Sequence, residues 1–455
     1  MKNNLKSLFR TQTLGAVRNN QQLIKCLNAQ DLTLLGIGAI VGAGIFVLTG
    51  IAAATAAGPG VIFSFILAGL ACAFCALSYA ELAASVGGCG SAYGYAYAGL
   101  GEIVAWIVGW VLLLEYCVAC ATIAIGWSGY VDNAFLAMGL SLPDLGFINL
   151  PAMVISLAIS SLLWFGVRES VKINKIIVGI KLCVIILFIV LAAFYFRPDE
   201  NWNPFLPFGV LGVVNGAALI FFAYIGFDAV STAAEETIQP ERNLPIGIIA
   251  SLIICTVLYV LVAAVLTGAV SYKELDVASP ISYALIKIGY DFGGFIIALG
   301  AIAGLTSTIL VMQYGLSRIF LAMSRDGFFP RALSKINPKT NSPTRIIALA
   351  GILISFVAGL TPINLVAQLT NIGTLTAFIS VCVTVIVLRY KYPDLPRPFK
   401  TPYSPLFPIL GILLCLFLMF HLKAITWVSF LIWTTIGLIV YFCYGRKNSI
   451  LTNKV

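Results

Sequence analysis

A glycine-rich stretch inside the first long apolar run is the most informative feature of this 455-residue sequence. It runs Gly36-Ile-Gly-Ala-Ile-Val-Gly-Ala-Gly-Ile-Phe46 and includes Gly42 and Gly44. Glycine lowers helix propensity by about 1 kcal/mol relative to alanine, so a helix is weakest where glycines cluster. An unwound helix exposes N–H groups that bind anions and carbonyl oxygens that bind cations. The stretch is therefore a candidate site for binding a small ligand through the main chain.

A second candidate break lies in the sixth apolar run, in the segment Phe221-Phe-Ala-Tyr-Ile-Gly-Phe-Asp228. It combines Gly226 with the ionisable Asp228 at a similar depth. Free N–H groups from the first break and carbonyls from both breaks would give one anion-binding and one cation-binding pole, which suits a zwitterionic α-amino acid. The alternative for the glycines is close helix packing, as in Gly38-xxx-Gly42.

Three ionisable residues within apolar runs are candidates for proton coupling, because charges inside a membrane are costly and usually functional. Glu115 and Asp228 lie deep in their runs, with orientations that the sequence leaves open, and the alternative for each is a hydrogen-bonded strut. Lys181 lies about two and a half turns beyond Lys172. An amine held away from water can release its proton near neutral pH, so Lys181 is a candidate proton carrier. The alternative is a permanently charged pin on carbonyls of the first run.

The elements that position these residues are transmembrane helices. The sequence is 60% hydrophobic and 10% charged, with a mean hydropathy of +1.01, far from the composition of soluble domains. This excludes a soluble, disordered or nucleic-acid-binding protein, and the continuous runs exclude an outer-membrane barrel. The predicted class is an all-α polytopic membrane protein with twelve spans: 32–57, 61–82, 101–130, 151–167, 172–196, 211–234, 246–270, 292–322, 345–361, 363–388, 405–422 and 424–444.

Charge placement predicts the topology. Most of the 27 Lys and Arg residues fall in the N-terminus, the even-numbered loops and the C-terminus, which places both termini in the cytoplasm. We expect a cytoplasmic segment 1–30, one transmembrane domain 31–444 and a cytoplasmic tail 445–455. Residues 279–288 suggest a short helix over the outer face. The pairs Cys72/Cys75 and Cys117/Cys120 lie within apolar runs, so we interpret them as packing residues and expect no metal site.

The two candidate breaks occupy corresponding positions if the first ten spans form two inverted halves. The first repeat would be 31–196 and the second 211–388, with helices 11 and 12 in 405–444. Glycine-interrupted spans at matching positions of two halves are the best sequence indicator of a transporter's binding site.

In this order and spacing, the motifs resemble those of the amino acid–polyamine–organocation (APC) permeases, particularly the branch related to cationic amino acid transporters. The resemblance covers 27–444, nearly the whole chain. Besides the two breaks, it rests on five further motifs: Ser91-Ala-Tyr-Gly-Tyr-Ala-Tyr97 with Gly101-Glu102, Gly109-Trp110 with Leu114-Glu-Tyr116, Glu235-Glu-Thr-Ile-Gln-Pro-Glu-Arg-Asn-Leu-Pro-Ile-Gly247, Ser324-Arg-Asp-Gly327 and Arg397-Pro-Phe-Lys400.

The resemblance implies a leucine-transporter-type fold with a 5+5 inverted repeat and two peripheral helices. It places the substrate carboxylate on the N–H groups of Ala43 and Gly44. It places the substrate ammonium on the carbonyls of Ile40, Phe222 and Ile225. It also implies that Phe222 is an aromatic lid and that Met312 lies near the side-chain pocket. Lys181 would lie beside the hydroxyls of Thr306, Ser307 and Thr308. The segment Gly87-Gly-Cys-Gly90 departs from the family, whose members usually have a proline there.

These observations predict a proton-coupled amino acid symporter that favours small neutral over cationic amino acids. An amino acid exchanger and a cationic amino acid permease are the nearest alternatives, and a non-transporting amino acid sensor is a remote one. One histidine and no clustered nucleophile–base pair argue against an enzyme. The expected partners are the amino acid, protons and the lipid bilayer, with no cofactor and no obligate protein partner. The expected location is the cell membrane, in particular a bacterial inner membrane.

Overall fold

The computed structural model describes residues 9–12, 23–137, 148–277, 279–361 and 363–451. Helices joined by turns and short loops make up most of these residues. The fourteen helices of eight residues or more in the described part are α1 (Ala29–Ile40), α2 (Val61–Ser85), α3 (Ala92–Gly99), α4 (Glu102–Ala137), α5 (Leu150–Trp164), α6 (Val167–Ala193), α7 (Gly209–Ile220), α8 (Pro240–Ala269), α9 (Pro280–Lys287), α10 (Asp291–Arg325), α11 (Thr344–Leu360), α12 (Ile363–Lys391), α13 (Leu406–Phe420) and α14 (Ala424–Val440).

Eight helical stretches of the described chain are long and apolar enough to cross a membrane. The first of them, Ala29–Ser85, contains both α1 and α2, with the unwound and π-helical segment 41–57 after α1 and the turn Gly58–Gly60 directly before α2. Three shorter helices, α5, α11 and α13, are also apolar. The prediction of an all-helical, polytopic membrane protein is confirmed at this level. The expected short helix at 279–288 is present as α9.

The centre of the molecule is formed by α1, α4, α8 and α10. Helix α8 packs along α2 and α1, while α10 packs along α4 and α6. Aliphatic side chains on the outer faces stay exposed, as in Ile253 and Val257 of α8. An apolar exterior around a buried polar interior is the arrangement that a bilayer requires.

The two ends of the described chain meet at one corner. The backbone N–H of Gln12 donates to the Tyr97 carbonyl at 3.1 Å, and that of Ile450 donates to the Asp326 carbonyl at 3.0 Å. The Ser449 hydroxyl donates to the Glu102 carboxylate at 2.9 Å. Segments 9–12 and 449–451 therefore close over the ends of α3, α4 and α10, and we call this region the terminal corner.

Candidate functional site

The first break follows α1. The helix begins with a capping box, in which Asn28 and Asp31 exchange hydrogen bonds between side chain and backbone. It ends at Ile40, because Val41 takes an extended conformation with ψ 90°. A π-helical turn, Gly44–Leu48, continues the span. Unwinding between Ile40 and Gly44 agrees with the predicted weak point.

The second break follows α7. A 3-10 turn, Phe221–Tyr224, replaces the α-helix after Ile220, and Ile225 is extended with ψ 132°. Gly226 has φ +125°, a left-handed conformation that glycine adopts without strain. A short helical turn, Ala229–Thr232, then completes the span. The predicted break at Phe221 to Asp228 is therefore present.

The two breaks lie against each other. A Cβ atom built on Gly44 would lie 2.3 Å from the Cα of Ala223, and one built on Gly226 would lie 2.7 Å from the Cβ of Ala39. Glycine in both positions allows the two main chains to approach closely. This crossing brings the backbone groups of the two unwound segments into one buried region.

The structure places the predicted ligand-binding groups around this crossing. Ala43 precedes the π-helical turn and Gly44 begins it, and the first turn of a helix has N–H groups without intrahelical partners. Phe222 is 7% exposed in the 3-10 turn, and its carbonyl accepts the Ile225 N–H at 3.2 Å. Met312 is buried in α10. A carbonyl oxygen has two lone pairs, so the Phe222 carbonyl retains capacity for an ammonium group.

Tyr259 of α8 joins the two breaks, a role that the sequence analysis missed. Its hydroxyl lies 2.6 Å from the Ile40 carbonyl oxygen and 2.8 Å from that of Ala223. A phenol has one proton, so it donates to one of these two carbonyls at a time. The only available sequence signal was a polar hydroxyl in an otherwise aliphatic part of the seventh predicted span.

The amine of Lys181 lies beside the first break. It donates to the carbonyls of Gly38 and Val41, both at 2.9 Å, and to the Ser307 hydroxyl at 2.8 Å. The Thr308 hydroxyl contacts the same two carbonyls at 3.0 and 3.1 Å. Lys181 is fully buried, so these oxygens replace water around its charge.

Thr306 has other partners. Its hydroxyl donates to the Ile302 carbonyl at 2.8 Å and accepts from the Trp127 indole at 2.9 Å. Of the three hydroxyls expected near Lys181, the structure therefore brings Ser307 to the amine and Thr308 to its carbonyl partners. A helix turns by about 100° per residue, so neighbouring hydroxyls on α10 face different directions.

Glu115 and Asp228 form a separate buried acidic cluster. The Tyr116 hydroxyl and the Gly226 N–H donate to Asp228, the latter at 3.2 Å. The Thr374 hydroxyl donates to Glu115 Oε1 at 2.6 Å, while Oε2 has no hydrogen-bond partner within the described chain. Asp228 thus acts on the second break directly through Gly226.

Ion pairs also connect the ends of several helices. Buried Glu236, just after the second break, pairs with Arg318 of α10 at 2.8 Å, and Glu235 pairs with Arg325 at 3.0 Å. Glu81 at the end of α2 accepts from Arg389 at 2.6 Å. These pairs hold the end of the second broken span against α10 and join α2 to α12.

Comparison with known proteins decides the family. A family profile described as "Amino acid permease" matches residues 27–443. The chain belongs to the amino acid permease family. It is 48% identical over 97% of its length to "Branched-chain amino acid permease BcaP" of Bacillus subtilis (strain 168), of which 98% is covered. It is 45% identical over 98% of its length to "Methylthioribose transporter" of the same organism, covered in full. It is 37% identical over 86% of its length to "Cationic amino acid transporter 4, vacuolar" of Arabidopsis thaliana, of which 68% is covered.

Family membership confirms the predicted resemblance to APC permeases. The permease is a multi-pass cell-membrane protein for amino acid transport, and its relatives are named as permeases and transporters rather than as enzymes.

Proposed function

We propose that this permease is a proton-coupled symporter of neutral amino acids that works by alternating access. The observation that carries the proposal is the position of the Lys181 amine, which binds two carbonyls of the broken first span. The positive charge of the amine takes the place of a bound metal cation, and the amine gains or loses this charge with its proton.

The proposed architecture has twelve spans. Spans 1–5 (31–196) and 6–10 (211–388) form two inverted repeats, helices 11 and 12 (405–444) are peripheral, and both termini, 1–30 and 445–455, are cytoplasmic. The two broken spans, first in each repeat, support this arrangement because transporter sites form where such spans meet.

The proposed substrate site is the crossing of the two breaks. The carboxylate binds the N–H groups of Ala43 and Gly44, and the ammonium binds the carbonyls of Ile40, Phe222 and Ile225. Gly42 and Gly226 allow close backbone approach in the unwound segments that line the site, Phe222 closes over the ligand, and Met312 lines its side-chain pocket. Two relatives named as branched-chain amino acid permeases favour a neutral aliphatic side chain.

The proposed coupling acts through Lys181 and Ser307. The protonated amine holds α1 in the substrate-binding arrangement through the Gly38 and Val41 carbonyls. Loss of the proton weakens this attraction and releases the inner half of the span. The Glu115–Asp228 cluster is the second protonation site, and it reaches the other break through the Gly226 N–H.

A competition panel in proteoliposomes tests the substrate. A labelled substrate competes with unlabelled alanine, leucine, arginine or methylthioribose. Methylthioribose is included because one relative is named as its transporter. We expect neutral amino acids to compete best. Competition by methylthioribose alone would refute amino acid binding at the crossing.

Uptake driven by a pH gradient tests the coupling. We expect the wild-type protein to concentrate substrate with an inside-alkaline gradient and without sodium, whereas Lys181→Ala keeps substrate binding and loses accumulation. Exchange without pH-driven accumulation in the wild type would favour the exchanger. Accumulation that needs sodium, or normal accumulation by Lys181→Ala, would refute the coupling mechanism.

A further inference from the structure

A strip of polar groups runs along the contact between α1 and α6, away from the substrate crossing. Asp31 and Gly38 are seven residues apart on α1, and Asn174 and Lys181 are seven residues apart on α6. Seven residues are nearly two helical turns, so each pair lies on one face of its helix. The two helices therefore place these groups at successive levels of one interface.

Each level of the strip is defined by a contact. Lys175 and Asp31 form an ion pair at its exposed mouth, where the Lys175 side chain is 42% exposed. The Asn174 side-chain amide donates to the Leu34 carbonyl at 3.3 Å in the middle. The Lys181 amine donates to Gly38 at the deep end. The strip thus leads from an exposed ion pair to the buried amine.

Gly38 brings the middle and deep levels together. A Cβ atom built on it would lie 2.7 Å from Asn174 Oδ1, while its carbonyl lies 2.9 Å from the Lys181 amine. Asn174 and Lys181 therefore contact the same glycine, with no side chain between them at that residue.

Asn174 is only 1% exposed, and its Oδ1 has no hydrogen-bond partner within the described chain. A buried acceptor without a donor costs about 1–3 kcal/mol, so such groups require an explanation. A proton-carrying water molecule would provide the donor that this oxygen lacks.

We propose that the strip between α1 and α6 is the route by which the proton of Lys181 leaves, with Asn174 as its positioning residue. This inference rests on the proposed proton coupling. When the inner half of α1 tilts from α6, water enters the strip and hydrogen-bonds to Asn174 Oδ1. The N–H bond of the ammonium breaks, and its electron pair stays on the neutral amine. The proton passes through this water to the Asp31 carboxylate, and from there to bulk water.

Other groups face the route from the neighbouring helices. Cys255 of α8 is close enough to interact electrostatically with the Lys181 amine, and Ser307 and Thr308 of α10 line the deep end of the route. At the mouth, Lys175 balances the charge of Asp31. Asp31 is thus the carboxylate of this strip that receives the proton.

The test compares Asn174→Leu with Asn371→Leu. Leucine has nearly the shape of asparagine but no acceptor. Asn371 of α12 is a matched control: its amide donates to the Ala218 carbonyl at 3.3 Å, and its Oδ1 also has no partner in the described chain. Both variants therefore lose one interhelical hydrogen bond, and only Asn174 lies on the strip.

Three rates are measured in proteoliposomes: substrate exchange at equal pH, uptake driven by a pH gradient, and substrate-induced proton entry followed with a trapped pH dye. Exchange needs no net proton release. For Asn174→Leu we expect normal exchange, with pH-driven uptake and proton entry slowed by at least about tenfold. This is less than the factor of about 10²–10⁴ for loss of a general acid or base, because Asn174 positions the water and does not itself carry the proton. Asn371→Leu should keep all three rates.

Two results would overturn this inference and leave the proposed coupling intact. One is a wild-type rate of proton entry in Asn174→Leu, and the other is an equal loss of pH-driven uptake and proton entry in both variants. A loss of exchange in Asn174→Leu would likewise assign the residue to helix packing. A wild-type protein that accumulates substrate independently of pH would instead overturn the coupling on which the inference rests. The last result is distinct, because it appears before any variant is made.

Discussion

Gly44→Ala is the sharpest test of the crossing, because one added carbon atom meets main chain rather than a movable side chain. The new Cβ would lie 2.3 Å from both the Cα and the Cβ of Ala223. Ordinary carbon contacts are about 3.5–4.0 Å, so the two breaks must separate by more than about 1 Å. No rotamer change can relieve the contact.

Overpacking of this kind costs about 1–3 kcal/mol. If the substrate requires the closed crossing, the same free energy is lost from binding, which is a factor of about 5 to 150 in Kd. We expect Gly44→Ala to bind neutral amino acids correspondingly more weakly. Binding is measured by the ligand-induced rise in Tm and by equilibrium binding to purified protein in detergent.

Gly126→Ala is the matched control, since nothing lies within 4 Å of a Cβ built on this glycine of α4. Alanine there should keep wild-type affinity and slightly favour the helix. Wild-type affinity in a monodisperse Gly44→Ala protein would refute the reasoning, because the substrate would then tolerate a widened crossing.

Three further predictions concern other parts of the site and the terminal corner. Phe222→Ala should slow transport more than it lowers Tm, because occlusion needs a bulky side chain; an unchanged rate in folded protein would contradict this. Glu236→Gln should lower the free energy of unfolding by about 3–5 kcal/mol, because it leaves the Arg318 charge buried without its carboxylate partner. Denaturant unfolding measures this, and a loss below about 1 kcal/mol would contradict it. Burial raises the pKa of Asp326 to about 7, against the opposing hydrogen bonds from Tyr93 and Gln12. The folded state then holds this proton more tightly than the unfolded state, so stability falls as pH rises from about 4 to 7. Asp326→Asn should remove this part of the fall in Tm between pH 5 and pH 8, and an unchanged slope would contradict the prediction.

The local features of the site were predictable because they follow from residue type and spacing. The glycine cluster in 36–46 predicted a weak point in the first span, and the described α1 ends at Ile40. Gly226 and the ionisable Asp228 predicted the second break, where α7 ends at Ile220. For Lys181, contact with carbonyls of the first span was the alternative to proton carriage, and the amine contacts the carbonyls of Gly38 and Val41.

The long-range contacts were not predictable from spacing. Tyr259 reaches Ile40 across 219 residues of sequence, and its hydroxyl gives no indication of which carbonyl it will meet. Glu81 lies near the end of the second predicted span, and its partner Arg389 is 308 residues away. Tertiary packing decides which distant residue becomes the partner of a polar side chain.

The terminal corner determines the order of assembly. Arg10 donates to the Leu451 carbonyl at 2.9 Å, a contact between residues separated by 441 positions. Synthesis proceeds from the N-terminus, so Arg10 is made 441 residues before Leu451. The contact between them therefore cannot form until every intervening helix has been made. Closure of this corner is thus completed late in biogenesis.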